Sequence, residues 1–322
     1  MFPTDIPIEF ENPTYGLIGI ILGAAISVLL YLSYKRLRIA EKRLELVEWR
    51  KLRRIVRAVN VGTKTAAVIA LASLLATPYY PTTIELSIDK ATDEQLGQYR
   101  ITVMLLMDVS YSMNYSDLKP TRYNVSENMT KLLLSMMNPN DLIGFMSFAG
   151  QVYDTVLPTT NRTKITEKID NQTLHPATAM GTALEAAMGV MESYPSGGKA
   201  IVLFSDGKDN SGLNVTMATD EAVARKIPIF TVSLGTYGLV EADPLALKQI
   251  SDNTGGRFYE VKQQEMESLA TSISRVSNEV KTGALKAVYD KLILPAKDYH
   301  TSTVLFSALL IVSLFLTWFT GV

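Results

Sequence analysis

The 322-residue chain contains no cysteine, which excludes disulfide frameworks, cysteine-ligated zinc, iron–sulfur clusters and thiol catalysis. It has two histidines, His175 and His300, too few for an all-histidine metal centre. It has no GxxxxGK[ST] phosphate loop, so ATP hydrolysis by this chain is not expected. Charged residues make up only 20%, against 47% hydrophobic, with mean hydropathy +0.13. That balance implies apolar residues that face lipid rather than a core. Net charge is also nearly absent, at −1, and excludes a uniformly basic nucleic-acid binder.

What charge there is lies in blocks. Ten basic residues between Lys35 and Arg57 face three glutamates, a local net of +7. The first eleven residues carry −3, and the segment from Pro81 to His300 carries −6. Tyr15 to Tyr34 has no charged residue, and about 20 apolar residues suffice to cross a bilayer. Its acidic flank precedes it and its basic flank follows, the reverse of a signal peptide, so we expect a retained span. A second apolar stretch, Val61 to Tyr80, includes Lys64 and reads as a span or as a buried helix. A third runs from Thr303 to Phe319.

Basic residues gather on the cytoplasmic side of membranes. The expected organisation is therefore an extracytoplasmic N-terminus (1–14), a first span (15–34), a basic cytoplasmic helical segment (35–60) and a second span (61–80). An extracytoplasmic domain (81–281), a linker (282–301) and a third span (302–320) with a cytoplasmic C-terminus follow. The basic segment reads as a lipid-headgroup and topology signal or, more sharply, as a docking surface for a cytoplasmic partner. Asn-X-Ser/Thr acceptors fall at Asn114, Asn124, Asn128, Asn161, Asn171 and Asn214, six of the eleven asparagines from Pro81 to His300. All lie in the segment assigned outside, so we expect an N-glycosylated, cell-surface domain.

Within that domain, RITVMLLM (100–107) and KAIVLFS (199–205) are continuous apolar runs, as in strands buried on both sheet faces. Helical stretches alternate with them, including 120–137, 181–194, 217–226, 244–252 and 263–280. Further strands are expected at 141–148, 151–157, 227–234 and 257–261, with an added edge strand at 82–89. The expected fold class is α/β, a doubly wound, mostly parallel sheet with three transmembrane helices.

Ligands of such sheets bind beyond the carboxyl ends of the strands. There the chain places Asp108-Val-Ser110-Tyr-Ser112 after one buried run and Asp206-Gly207 after the other. Between them Pro176-Ala177-Thr178 opens a helix. Carboxylates with hydroxyls, and no histidine or cysteine, make a hard oxygen site suited to Mg2+, with Mn2+ or Ca2+ less specific alternatives. Bland readings stand beside this one: Ser110 and Ser112 as turn formers, Thr178 as a helix cap, Asp209 as a solvated loop acid, His175 as a plain loop histidine. Met129, Met136 and Met137 read as core.

Asp-X-Ser-X-Ser, a downstream threonine loop and a strand-terminal Asp-Gly together resemble the metal-ion-dependent adhesion site of von Willebrand factor A (VWA) domains. MDVSYSMNYSDLKPTRYN, DLIGFMSFAGQVYDTVLPTT, PATAMGTALEAAM, IVLFSDGKDNSG and TGGRFYEV are similar to membrane-anchored Bat-type VWA proteins (BatA/BatB-like) of prokaryotes. So are WRKLRRIVRAV, ALASLLATPYYP and the order of spans, from about Trp49 onward. The resemblance implies metal ligands at Asp108, Ser110, Ser112, Thr178 and Asp206. It implies a protein partner that donates a carboxylate, and association with a MoxR-type AAA+ ATPase in assembly or stress handling. The chain departs from the family at Pro176-Ala177, where two glycines are usual, which leaves Thr182 as an alternative ligand. Acceptor asparagines in a prokaryotic family point toward an archaeal source. Two further classes stay open: a structural subunit of a homo-oligomer or of a complex with related VWA subunits, its metal purely structural, and a metal-dependent hydrolase. The last lacks a general base beside the metal and a nucleophile elbow, so the chain is not read as an enzyme.

Overall fold

The structure, a computed structural model, describes residues 8–43, 50–194, 197–235, 242–261 and 269–319. The chain divides into two compact units, residues 1–85 with 293–322, and residues 86–292.

In the first unit a short strand β1 (Glu9–Phe10) leads into helix α1 (Pro13–Arg43), and α2 runs over Arg50–Leu75. The expected helical segment 35–60 lies outside the described residues at 44–49. Strand β2 (Pro78–Leu86) follows, so the helix stops short of the expected boundary at Tyr80; Pro78 lacks the amide that a continued helix needs. Residues 82–86 consequently do not join the domain's sheet as an edge. They belong to a separate three-stranded sheet ordered β1, β2 and a late strand, Leu292–Asp298. That late strand also replaces part of the expected linker, and the last helix starts directly after it at Tyr299 and runs to Phe319.

Among the described residues, three helices are long and apolar enough to cross a membrane: Pro13–Leu32, Ala58–Leu75 and Tyr299–Trp318. They pack through small and hydroxylic residues, as helices do where apolar burial gives no net drive. A β-carbon on Gly19 would lie 1.9 Å from that of Ala72, so only glycine allows this approach. Ser27 and Thr65 hydroxyls meet at 2.7 Å, and Thr317 donates to Thr63 at 3.0 Å.

The second unit holds a six-stranded sheet. In chain order its elements are α3 (Asp93–Gly97), β3 (Thr102–Asp108), α4 (Arg122–Met136), β4 (Leu142–Phe148), β5 (Val152–Thr159) and α5 (Arg162–Asp170). There follow α6 (Met180–Glu192), β6 (Lys199–Ser205), α7 (Val215–Ala224), β7 (Ile229–Ser233), α8 (Pro244–Thr254), β8 (Phe258–Glu260) and α9 (Leu269–Lys286). The start of the helix expected at 263 lies outside the described residues. Strand order is β5-β4-β3-β6-β7-β8, parallel except for β5, as a doubly wound sheet requires. All seven residues of β3 are buried, because it has strands on both edges and helices on both faces. Met104 and Leu106 join a core with Met180, Leu184, Ala187 and Met188 of α6 and with Ala218 and Leu247. Met129 and Met137 are buried as expected, whereas Met136 is half-exposed. Helix α5 escapes the periodicity reading because only Ile165 and Ile169 of its nine residues are buried.

Candidate metal centre

The chain leaves β3 for α4 on one side, and β6 is reached by way of α6, so crossovers diverge at the β3–β6 edge. A crevice at the strands' carboxyl ends is the geometric consequence. Register sets its floor: Met107 pairs with Phe204, so Asp108 emerges beside Ser205. The Ser205 hydroxyl donates to Asp108 Oδ2 at 2.6 Å and accepts the Gly207 amide at 3.1 Å. Asp108 Oδ1 accepts the Ser110 amide at 2.8 Å, and the Ser110 and Ser112 hydroxyls are 3.0 Å apart. Ser112 in turn hydrogen-bonds Asp206, so the two serines join the two acids. Both acids are fully buried. Burial first, then the Asp206 carboxylate, pushes the Asp108 carboxyl up to about 7. Asp206 is raised by burial as well, opposed by its bonds to Ser112, Lys208 and Arg122. Gly207 must be glycine: its φ is +85° and a β-carbon would strike the Asp243 carbonyl at 2.1 Å.

The Thr178 loop is fastened to both strand ends. His175 donates its amide to Val109 and accepts from the Tyr111 amide, while Ala179 donates to Ala149. Thr178 itself is buried; its amide donates to Asn210 Oδ1 at 2.9 Å and its carbonyl accepts from Asn210, Ser211 and the Ser211 hydroxyl. Ala177, where the resemblance expects glycine, keeps the left-handed backbone at φ +65°. Thr182 is engaged elsewhere, its hydroxyl accepting the Leu213 amide at 3.0 Å. His175 stacks its ring on Tyr153 at 3.7 Å and reaches Thr173, so it is a loop residue beside the centre.

Residues 103–208 match the family model of the von Willebrand factor type A domain. The domain has the VWA fold. The chain is 31% identical over 208 residues to a UPF0353 protein of Mycolicibacterium paratuberculosis, spanning 57% of this chain and 62% of that one. It is 32% identical over 197 residues to a UPF0353 protein of Mycolicibacterium gilvum, spanning 54% and 59%. The chain thus spans about three-fifths of the length of these relatives, which are bacterial. The crystal structure of a conserved hypothetical protein BatB from Bacteroides thetaiotaomicron superposes at TM-score 0.48 and 18% identity over 56% of this chain and 98% of that one.

Around the VWA domain's five expected ligands lie residues that sequence reading missed. Arg122, on the first turn of α4, donates to Asp206 Oδ2 at 3.0 Å and clasps Asp117 at 2.8 and 3.0 Å. Ser205 orients Asp108, as described above. Asp209, expected as a solvated acid, accepts the Met180 amide at 2.9 Å and caps α6, whose own N-cap is Ala179. Their signal was position, within KPTRYN and FSDGKDNSG beside the expected ligands, and for Arg122 also a basic residue's place on a helix's first turn. Among the described residues no three His, Cys, Asp or Glu side chains cluster as a carboxylate- or imidazole-rich metal cage. The donor set here is two carboxylates with hydroxyls.

Proposed function

We propose that this chain is a membrane-anchored VWA protein whose domain binds a divalent cation, Mg2+ foremost, and recruits a protein partner through it. Asp108, Ser110, Ser112, Thr178 and Asp206 would hold the ion, and the partner's carboxylate would complete its oxygen shell. The observation that carries this reading is the pair of fully buried carboxylates joined through two serine hydroxyls, one of them pushed up to about 7 by burial first and then by its neighbour. Buried like charges are costly unless a cation balances them. The donors are all oxygen, as hard cations prefer. Exposed Tyr111 and Tyr115 beside Ser112 offer the aromatic contact area that protein interfaces favour. The serines have no nucleophile elbow, and His175, whose backbone pairs with Ser110, gives its ring to Tyr153 and Thr173, which supports binding over catalysis.

The same proposal puts the N-terminus and the domain outside and the block from Lys35 to Arg57 inside, on the positive-inside rule. A MoxR-type ATPase in the cytoplasm would then reach the basic block and not the metal. The acceptor asparagines support exposure outside: Asn114, Asn128, Asn161, Asn171 and Asn214 are exposed, and Asn124 is half-buried.

The test is affinity isolation of the intact protein in mild detergent, with Mg2+ and then with EDTA, for wild type, Asp108→Ala and Ser110→Ala. Partners lost with EDTA and with both variants support recruitment through the metal. Partners retained while thermal stability alone falls would favour a structural metal in an oligomer.

A further inference from the structure

Arg122 is fully buried at 1% exposure, and it stands on the first turn of a helix, where the dipole disfavours a cation. Burying a guanidinium costs several kcal/mol unless carboxylates compensate it. Two do. The Nε and Nη2 edge makes a bidentate pair with Asp117, and Nη1 reaches Asp206. Room for the fork is kept by Gly235, two residues past β7, where a β-carbon would lie 3.3 Å from the Arg122 Cζ. The Tyr115 ring lies 5.2 Å from Cζ on another side.

The charges then count simply. Over these described groups, Asp108, Asp117 and Asp206 carry −3, Arg122 returns +1, and the group is left at −2. A divalent ion closes that balance; a trivalent ion overshoots it. We propose that Arg122 is a specificity-determining residue of the cation site, its fixed positive charge matching the buried acids to a divalent ion. This rests on the reading of the site as a cation site. The physical ground is that oxygen-ligand sites are tuned by the number of charges they present, and that a fixed charge a few ångströms away repels a trivalent ion more than a divalent one.

Calcium and terbium(III) have similar radii and differ in charge, so their relative affinity isolates the effect. Full-length protein in detergent is titrated with terbium, read by its luminescence, and then with calcium as competitor. Arg122→Gln, at −3, is expected to shift the terbium-to-calcium affinity ratio toward terbium by about tenfold. Arg122→Gln combined with Asp117→Asn restores −2 and is expected to return the ratio to the wild-type value. Asp117→Asn alone, at −1, is expected to shift it the opposite way, and Arg122→Lys to keep it. Circular dichroism selects the variants that fold, and Asp117→Asn with Arg122→Lys suffices if the glutamine variant does not. A ratio unchanged in Arg122→Gln or Asp117→Asn, or a shift that persists in the double variant, overturns the role of Arg122. A wild-type protein that binds neither ion overturns the cation site itself, and the role of Arg122 with it.

Discussion

At the scale of single residues, the most consequential side chains pair with groups far away in the chain. Lys281 donates to Asp141 Oδ1 at 2.6 Å and to the Tyr99 carbonyl at 2.5 Å, and Asp141 also accepts the Ile101 amide. Both side chains of this pair are buried, at 9% and 1% exposure. Removing one partner leaves a buried charge, so Lys281→Met is expected to cost about 3–5 kcal/mol of unfolding free energy. Adding Asp141→Asn should recover much of that loss, and chemical denaturation measures both. Ala177 gives a prediction of opposite sign. Its β-carbon occupies a left-handed backbone, which costs about 1 kcal/mol or more, partly offset by the entropy that glycine gains in the unfolded chain. Ala177→Gly is therefore expected to raise the thermal midpoint slightly. A lowered midpoint would mean that the loop draws rigidity from the methyl group.

The same scale explains what the sequence made legible. Asp108 and Asp206 end apolar runs, and Ser110 and Ser112 follow Asp108 closely, so these candidate donors stood out in the sequence, whereas Thr178 was implied by the family resemblance. Arg122 lies 84 residues from Asp206, Ser205 lies 97 from Asp108, and Asp209 lies 29 from Met180. Such pairings arise only when the sheet sets its strand order and register. A basic residue on a helix's first turn is a sequence-level anomaly, and it was the available clue to Arg122.

Among the elements, α6 shows how the two acid-bearing loops act on a third. The helix opens without a capping side chain of its own, and Asp209 supplies the acceptor from the loop after β6. Asn210 and Ser211 from that same loop hold the Thr178 backbone. Asp209→Ala is expected to destabilise the domain by about 1 kcal/mol, in the range of lost caps. It should also weaken Mg2+ binding, since the cap and Thr178 share one loop; calorimetric titration reads the affinity. Helices with a strong apolar face were legible, whereas α5 was not, because it buries two side chains only. The strand at 82–86 was read as extended, but its partners β1 and Leu292–Asp298 come from distant parts of the chain. Extended propensity does not say which sheet a strand joins.

For the whole molecule, the near-zero net charge is a sum over separated blocks, and the proposed orientation follows from their order. Intact mass of the protein from a glycosylating host is expected to exceed that of the bare polypeptide, and substitution of the exposed Asn161 or Asn214 should each remove one increment. A bare mass from such a host would withdraw that support for an outside domain. The central claim, however, is the cation. Calorimetric titration of Mg2+ into the intact, metal-stripped protein in detergent addresses it most directly. The account predicts one ion per chain for wild type and loss of binding in Asp108→Ala; no binding by wild type, or equal binding by the variant, would contradict it.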